Sequence, residues 1–578
     1  MAGILFFIYC LGFQFPFRGT PFDAPRHGNP PLTPAWALEC WLWEDDVNSA
    51  HQVDSLLEGY AKFDIPVRSI VIDSPWSMRY NDFEIDTIRY PHPKEWFRSL
   101  HTRGYRVVLW MTSMVNSSSK DTRVKESGEW YREINEKGYL AGIDSQIKWW
   151  KGRGGFIDYS NPNALKWWHG IQQTVFDYGI DGWKMDQTGT LFWTMVGPVP
   201  FLYKTTHKGV TTTRNYMDRY YREEYRHGLS QNPEFVTLAR AVDRNFHPEG
   251  YAPIDAAPVT WVGDQKHTWL SLGKLAKGDS LNAEIATKGK GGIELALKNI
   301  QKSARVGYNI IGSDVAGFSG KMIPPRLYIR WVELSAFCGL FLNGGHGERA
   351  LWKRTPQELE IIRKYSWLHT ELIPYMYSYV VTGHQGGPKL QRPVKGKYHY
   401  LFGDDFLVAP IYHDQLSTEI KLPKGGWRYL FNDKELIQGP VSFKREFALE
   451  EYPVYIREGA IVPMNIERNY TGLGSEANKG SLTWLIYPGV DNQFTVFHPD
   501  KSGSSTVSLI NHPETIEITL KDTKKLSVLN IHLEKVPSKV SFDNVEMPGS
   551  LDYKFDVQKS QLIVRFSEIK DGVLTIVK

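Results

Sequence analysis

Residues 178–186, YGIDGWKMD, describe a short apolar strand that follows a glycine and ends on an aspartate. The preceding segment, NALKWWHGIQQTVFDYG (163–179), carries apolar residues at helical spacing, and an Asn-Pro pair opens it. A helix that leads into a short buried strand is one unit of a parallel α/β sheet. We therefore begin from a strand at 180–186 whose last residue is Asp186.

The same alternation recurs throughout residues 34–350. Seven further strands are predicted at 36–43, 67–73, 105–111, 233–240, 257–264, 307–314 and 334–343. Eight strands with helical segments between them indicate a (β/α)8 TIM barrel, and residues 195–232 form a longer insertion after the fourth strand. No G-x-G-x-x-G sequence follows the first strand, which disfavours an open dinucleotide-binding sheet.

The pattern changes after residue 384 to short alternating strands separated by Gly, Pro, Asn and Asp turns. This pattern is typical of β-sandwich domains. A chain of 578 residues is also too long for one core. We divide it into an N-terminal segment (1–33), the catalytic barrel (34–384), a proximal C-terminal β-sandwich (385–467) and a distal one (468–578).

Composition narrows the classes of ligand. The 68 basic and 64 acidic residues include no long basic run, so nucleic acid is not an expected partner. The 20 tryptophans exceed what a core requires, and their flat faces suit the apolar faces of sugars. Three cysteines without metal-ligand spacing indicate neither a disulfide framework nor a zinc site.

The N-terminal sequence does not decide the cellular compartment of the protein. Residues 3–13, GILFFIYCLGF, have the length of a signal-peptide core and are too short to span a bilayer. No basic residue precedes this run and no A-x-A site follows it. A secreted or luminal location and a cytoplasmic one both remain, no integral membrane segment is predicted, and the sequence does not give the oligomeric state.

Polar residues end most of the predicted barrel strands, where barrel enzymes carry their catalytic groups. These residues are Asp73, Asp186, Asp264 and Asp314, with Arg240 ending the fifth strand and His346 following the eighth. A single strand-end aspartate is more often a cap or turn former. Four on different strands of one ring indicate a site.

Two chemistries use such a ring. A pair of carboxyls can hydrolyse a glycosidic bond, one attacking the sugar and the other moving a proton. Several carboxylates can instead hold a divalent metal. Tryptophans in or beside the strand ends favour a sugar pocket without a metal or cofactor: Trp41, Trp43, Trp76, Trp110, Trp183 and Trp261.

These residues also carry a family resemblance. GGFIDYSNPNALKWW (154–168) followed by YGIDGWKMD resembles the nucleophile region of glycoside hydrolase family 31. TWVGDQ (260–265) resembles its acid/base motif, IIGSDVAGF (310–318) resembles its G-x-D-I-x-G-F signature, and PLTPAWALECWLW (31–43) resembles its barrel entrance. The resemblance covers about 320 residues and implies a retaining exo-acting α-glycosidase.

Carried over by position, the resemblance makes Asp186 the nucleophile and Asp264 the acid/base. It implies that four residues bind the terminal sugar: Asp73, Trp110, Arg240 and His346. Asp314 either contacts the sugar or forms the floor of the pocket.

Two further residues are expected to tune the catalytic carboxyls. Lys184 lies two residues before Asp186, on the same strand face, so its ammonium would keep the nucleophile ionised unless it serves a salt bridge within the barrel. Trp261 would shield Asp264 from water and help it stay protonated.

The sequence departs from the family pattern in three places. Only about 33 residues precede the first strand, so the chain is either a minimal member or incomplete. Ala256 stands where α-glucosidases of the family tend to carry an Arg, and the nucleophile lies in Trp-Lys-Met-Asp-Gln. An α-galactoside or α-xyloside therefore joins an α-glucoside as the expected substrate. A catalytically weak or inactive sugar-binding or regulatory homologue is the alternative.

Overall fold

A computed structural model describes residues 28–142, 146–186, 194–196, 199–201, 203–240, 252–269, 291–320, 322–347, 349–548 and 552–578. The apolar run at 3–13 lies outside these residues. So do the segments that directly follow Asp186 and Arg240, and residues 270–290 after Asp264.

The central feature is a parallel sheet of eight short strands. In chain order they are β1 (Cys40–Glu44), β2 (Ser69–Ile72), β3 (Arg106–Met111), β4 (Gly182–Met185), β5 (Val236–Arg240), β6 (Val259–Trp261), β7 (Ile311–Gly312) and β8 (Phe341–Gly345). The spatial order is β7-β6-β5-β4-β3-β2-β1-β8. An isolated parallel bridge between Asp314 and Leu342 joins the two ends, so the sheet closes. The predicted (β/α)8 barrel is confirmed.

Helices surround the strands. The described helices of this part are Ala50–Lys62, Pro93–Thr102, Gly128–Glu136, Pro162–Asp177, Thr213–Gln231, Ile293–Val306, Pro325–Ala336, Pro356–Glu371 and Ile373–His384. Several have clear start signals. The side chain of Asn161, directly before Pro162, accepts from the N–H groups of Asn163 and Ala164, and Thr355 and Glu358 form a capping box. Their apolar faces pack on strands that are buried along nearly their whole length.

Two predicted strands include residues that are helical in the structure. Ala35–Leu38 forms a 3-10 helix before β1, and residues 334–336 of the predicted eighth strand finish the helix Pro325–Ala336. Both stretches are apolar and fully enclosed, and periodicity alone does not separate a buried strand from a buried helix. The correction matters for the site, because β1 ends at Glu44 rather than at Trp43.

The insertion after β4 carries short strands at Thr194–Val196, Val199–Phe201, Tyr203–Thr206 and Gly209–Thr212 before the helix Thr213–Gln231. Glu224 of this helix anchors it to the barrel. Its buried carboxylate accepts hydrogen bonds from Tyr159, Trp168 and Gln172. Elsewhere on the barrel, a three-stranded sheet is formed by Met114–Ser119, Ile147–Trp149 and Gly152–Phe156.

The C-terminal part is built from mainly antiparallel sheets, as predicted. The first contains Gln391–Pro393, Tyr400–Phe402, Phe406–Val408, Ser417–Tyr429, Asn432–Glu446 and Val454–Arg457. The second contains Ile461–Met464, Leu482–Ile486, Ser527–His532, Tyr553–Asp556 and Gln561–Arg565. The third contains Asn492–Phe497, Ser504–Asn511, Thr515–Lys521, Lys539–Phe542, Val545–Glu546 and Gly572–Val577. The second and third share one hydrophobic core.

None of the helices in the described ranges is both long and apolar enough to cross a bilayer.

Candidate active site

The barrel gathers the predicted residues at the carboxyl ends of its strands. Asp73 directly follows β2, Asp186 follows β4, Arg240 ends β5 and His346 follows β8. Asp264 and Asp314 come three and two residues after β6 and β7. Because parallel strands point the same way around the barrel, these side chains meet at one rim.

A single guanidinium joins the two predicted catalytic carboxyls. Nη2 of Arg240 donates to Oδ1 of Asp186 at 2.8 Å and to Oδ1 of Asp264 at 3.0 Å, and Nε of Arg240 also reaches Asp186 at 3.1 Å. Since one nitrogen reaches both oxygens, the two oxygens lie no more than about 6 Å apart, whereas inverting glycosidases separate their carboxyls by about 6.5–9.5 Å. The spacing fits a retaining pair.

The environments of the two carboxyls differ. Oδ2 of Asp186 accepts a 3.1 Å hydrogen bond from the indole N–H of Trp110, so donors hold both of its oxygens. The Asp186 side chain is 13% exposed and the Asp264 side chain 37%. A fixed, deep carboxylate suits a nucleophile, and a more accessible one suits a group that must meet the leaving group and water.

Lys184 was predicted either to keep Asp186 ionised or to form a salt bridge within the barrel. Its Nζ lies 2.6 Å from Oδ2 of Asp73, and both side chains are almost completely buried. The same nitrogen lies over the ring of Trp43, 3.1 Å from its centroid. The salt bridge within the barrel is therefore the arrangement that forms, and Arg240 supplies the positive charge that binds Asp186.

The expectation for Trp261 also needs correction. The guanidinium of Arg240 lies over the buried ring of Trp261, 4.7 Å from the ring centroid, while the side chain of Asp264 stays partly exposed. Asp264 is separated from β6 by Val262 and Gly263, and Gly263 has a φ of +92°, a turn that carries the carboxyl away from the barrel interior. Trp261 thus supports the cation that joins the two carboxyls.

Asp314 is completely buried, and neither of its carboxyl oxygens has a hydrogen-bond partner among the described residues. Burial, together with the nearby charge of Asp264, raises its pKa to about 8, although Lys184, Arg240 and Arg349 oppose the shift. The group is therefore largely protonated at neutral pH. Its complete burial favours the pocket floor over direct contact with a sugar.

Two carboxylates that the sequence motifs did not indicate lie beside His346. Nε2 of His346 lies 3.2 Å from Oδ2 of Asp45, and Nδ1 lies 3.1 Å from Oδ1 of Asp46. The ring also packs on Phe318, which stacks on Trp43. The available signal was the Glu-Asp-Asp sequence at 44–46, which the predicted end of the first strand at Trp43 left outside the list of strand ends.

A second missed group flanks Trp110. The ring of Trp149 stacks parallel to Trp110 at 6.5 Å, and the ring of Tyr80 meets both edge-on. The hydroxyl of Tyr80 donates to Asp121, whose other carboxylate oxygen lies 3.0 Å from Nζ of Lys151. These contacts fix the indole that binds Asp186. The Trp149-Trp150 pair was a visible signal, but its strand is remote from the barrel strands in sequence.

The closed eight-stranded barrel with carboxyls at its strand ends is the architecture of a class of proteins, the (β/α)8-barrel enzymes. Residues 30–286 and 291–379 match the TIM-barrel domain of glycosyl hydrolases family 31, and residues 388–462 match the C-terminal domain of that family. The chain belongs to glycoside hydrolase family 31.

Several relatives are about a quarter identical to the chain over the residues that align. An α-xylosidase from Emericella nidulans is 25% identical over 76% of this chain and 54% of its own length. An α-glucosidase from Bacillus thermoamyloliquefaciens is 23% identical over 91% of this chain and 67% of its own length. The chain thus spans about half to two thirds of the length of these relatives.

Solved structures share the fold. A family 31 dextranase from Flavobacterium johnsoniae superposes with a TM-score of 0.80 at 20% identity, covering 95% of this chain and 72% of the dextranase. A cycloalternan-forming enzyme from Listeria monocytogenes gives a TM-score of 0.79 at 21% identity over 95% of this chain and 55% of its own.

Proposed function

We propose that the protein is a retaining, exo-acting α-glycosidase that removes a terminal α-linked galactose, glucose or xylose through a covalent glycosyl-enzyme. The observation that carries this proposal is the shared contact of Arg240 with Asp186 and Asp264, which brings one oxygen of each carboxyl within about 6 Å of the other, as a retaining pair requires. Both carboxyls are present, which argues against an inactive sugar-binding or regulatory homologue.

In the first step an oxygen of Asp186 bonds to the anomeric carbon while the bond to the leaving oxygen breaks. Asp264 gives its proton to that oxygen, and the leaving group departs as an alcohol. The product is a β-linked glycosyl ester of Asp186. Trp110 and Arg240 orient the attacking carboxylate through the hydrogen bonds they already make.

In the second step Asp264 accepts a proton from water, whose oxygen attacks the anomeric carbon and releases Asp186. Two inversions give back the α-anomer. Nη2 of Arg240 donates to both oxygens of Asp264, an arrangement that suits a carboxylate. Proton donation requires that this contact be released, and a sugar hydroxyl can replace Asp264 as the partner of Nη2 of Arg240.

The test is hydrolysis of aryl α-galactoside, α-glucoside and α-xyloside, with the anomer of the released sugar read by NMR. We expect the α-anomer first from the wild type and no release from Asp186→Ala. In Asp264→Ala, azide should restore turnover of an activated aryl substrate and give an α-glycosyl azide, because azide attacks the glycosyl-enzyme without a base. Release of the β-anomer would contradict retention, and silence from folded protein would favour the sugar-binding homologue.

A further inference from the structure

Asp45 occupies a position between two predicted sugar-binding residues. The parallel register pairs Glu44, the last residue of β1, with Ile72 of β2 and with Gly345 of β8. The next residue of each strand stands at the same level of the rim, so Asp45 lies between Asp73 and His346. The 3.2 Å contact of Asp45 with His346 confirms this placement.

The carboxylate of Asp45 has unused hydrogen-bonding capacity. Its side chain is only 8% exposed. Nε2 of His346 approaches Oδ2, and within the described ranges no hydrogen bond reaches Oδ1. Burial and the charge of Asp73 raise the pKa of Asp45 well above its ordinary value, against the opposing effect of Lys184. A buried carboxyl with a vacant oxygen is costly unless a ligand supplies a hydrogen-bonding partner.

Two neighbouring charged or titratable side chains already have ion-pair partners. Lys184 is bonded to Asp73, and the two ring nitrogens of His346 lie at Asp45 and Asp46. A sugar hydroxyl that reaches this wall can therefore bond to Oδ1 of Asp45 without breaking either of these ion pairs. The His346 ring, predicted to bind sugar directly, holds Asp45 in place in this arrangement.

The barrel order decides which end of the sugar meets this wall. Asp186, Arg240 and Asp264 belong to β4, β5 and β6, and β1 lies across the barrel from β5. The anomeric carbon must lie beside Asp186 and Asp264, so the opposite side of the pocket faces the far end of the pyranose. That end carries the hydroxyl on carbon 4 and, in a hexose, the hydroxymethyl group on carbon 5. Xylose lacks that group.

We infer that Asp45 binds the hydroxyl on carbon 6 of the terminal sugar and thereby selects hexosides, galactoside or glucoside, over xylosides. The inference rests on the proposed function, because that function places the anomeric carbon at Asp186 and Asp264. It names a specificity-determining residue that the family motifs at 154–186, 260–265 and 310–318 do not contain.

The experiment compares each aryl hexoside with its 6-deoxy analogue, which removes one hydroxyl, and with the aryl xyloside. In the wild type we expect kcat/KM to fall about 10- to 100-fold on removal of the hydroxyl, since Asp45 then loses its partner. In Asp45→Leu the kcat/KM values for the hexoside and its 6-deoxy analogue should differ by less than about 3-fold, because an apolar side chain gains nothing from the hydroxyl. Asp45→Asn, which keeps a carbonyl acceptor, should retain an intermediate preference.

Asp46→Leu is the matched control, because it makes the same change one residue away. Asp46 is 42% exposed and accepts hydrogen bonds from His346 and the N–H of Gly347. Its loss can lower overall activity but should leave the ratio between hexoside and 6-deoxy analogue as in the wild type. A wild type that prefers xyloside, or an Asp45→Leu ratio equal to that of the wild type, overturns the inference.

Calorimetric binding of free galactose, glucose and their 6-deoxy forms separates this inference from the proposed function. Selective binding that Asp45→Leu abolishes, in a protein that hydrolyses nothing, supports the inference and contradicts the function. Release of the α-anomer without discrimination at carbon 6 supports the proposed function and contradicts the inference about Asp45. Absence of both hydrolysis and sugar binding from folded protein contradicts both.

Discussion

Nζ of Lys184 lies 2.6 Å from Oδ2 of Asp73, and the pair links β4 to β2 across the intervening β3. Side-chain exposures of 3% and 6% leave almost no water to replace either partner. The ammonium also lies against Trp43 and Trp261. The pair is thus both a structural tie between strands and one wall of the pocket.

Removing one partner of this pair should be costly. Lys184→Met leaves a buried carboxylate without its cation, and we expect the free energy of unfolding to fall by about 3–5 kcal/mol. Urea denaturation measures this change. The double variant Lys184→Met/Asp73→Asn should recover much of the loss, because no uncompensated charge remains. Equal stability of the single and double variants would mean that the pair does not act as a unit.

Arg240 should be needed in its exact chemical form. Arg240→Lys keeps the charge but loses the planar guanidinium that contacts both carboxyls, so we expect kcat to fall by about 100-fold or more. Arg222→Lys is the control, since Arg222 makes a similar ion pair with Asp255 outside the site. Stopped assays on both variants, with circular dichroism to confirm folding, measure the difference. Similar activity in both variants would remove Arg240 from the mechanism.

Asp314 should make stability fall as pH rises from about 4 to about 8. Its pKa of about 8 in the folded protein exceeds the ordinary value of 3.8, so the folded state binds more protons between those limits. Its contribution is complete below pH 4 and is lost as pH rises through 8. Relative to the wild type, Asp314→Asn should therefore become more stable as pH rises from 6 to 9.

Thermal unfolding of wild type and Asp314→Asn across this range checks the sign. The quantity to compare is the difference in stability between the two proteins at each pH. Burial also raises the pKa of Glu333 to about 8, and Glu333 remains in both proteins. Parallel curves for the two proteins would show that Asp314 does not titrate in this range.

Two stacked histidines should contribute to the pH at which the protein unfolds in acid. The rings of His169 and His227 lie 3.8 Å apart and nearly parallel, and burial lowers the pKa of each to about 4. The unfolded chain binds protons more readily between pH 6.5 and 4, so acidification costs stability there. His227→Phe should shift the midpoint of acid unfolding to lower pH, measured by fluorescence. An unchanged midpoint, with stability at pH 7.5 as the reference, would exclude this role.

Much of the fold was readable from local patterns. Eight apolar segments with helical stretches between them predicted the barrel, because alternation and strand length depend on neighbouring residues only. The ends of buried apolar segments were predicted less accurately, since Ala35–Leu38 is helical and β1 extends to Glu44. Because the predicted first strand ended one residue early, Asp45 was not recognised as the residue that follows β1 at the pocket.

The sequence by itself determined the (β/α)8 architecture and the polar residues that end its strands, Asp73, Asp186, Asp264 and Asp314 among them, because each is a property of one short segment. Only the tertiary structure decided how these groups pair: Lys184 with Asp73, Arg240 with Asp186 and Asp264, and His346 with Asp45. Ion pairing depends on strand register around the closed barrel, and register brings together residues that are 24 to more than 300 positions apart in the chain.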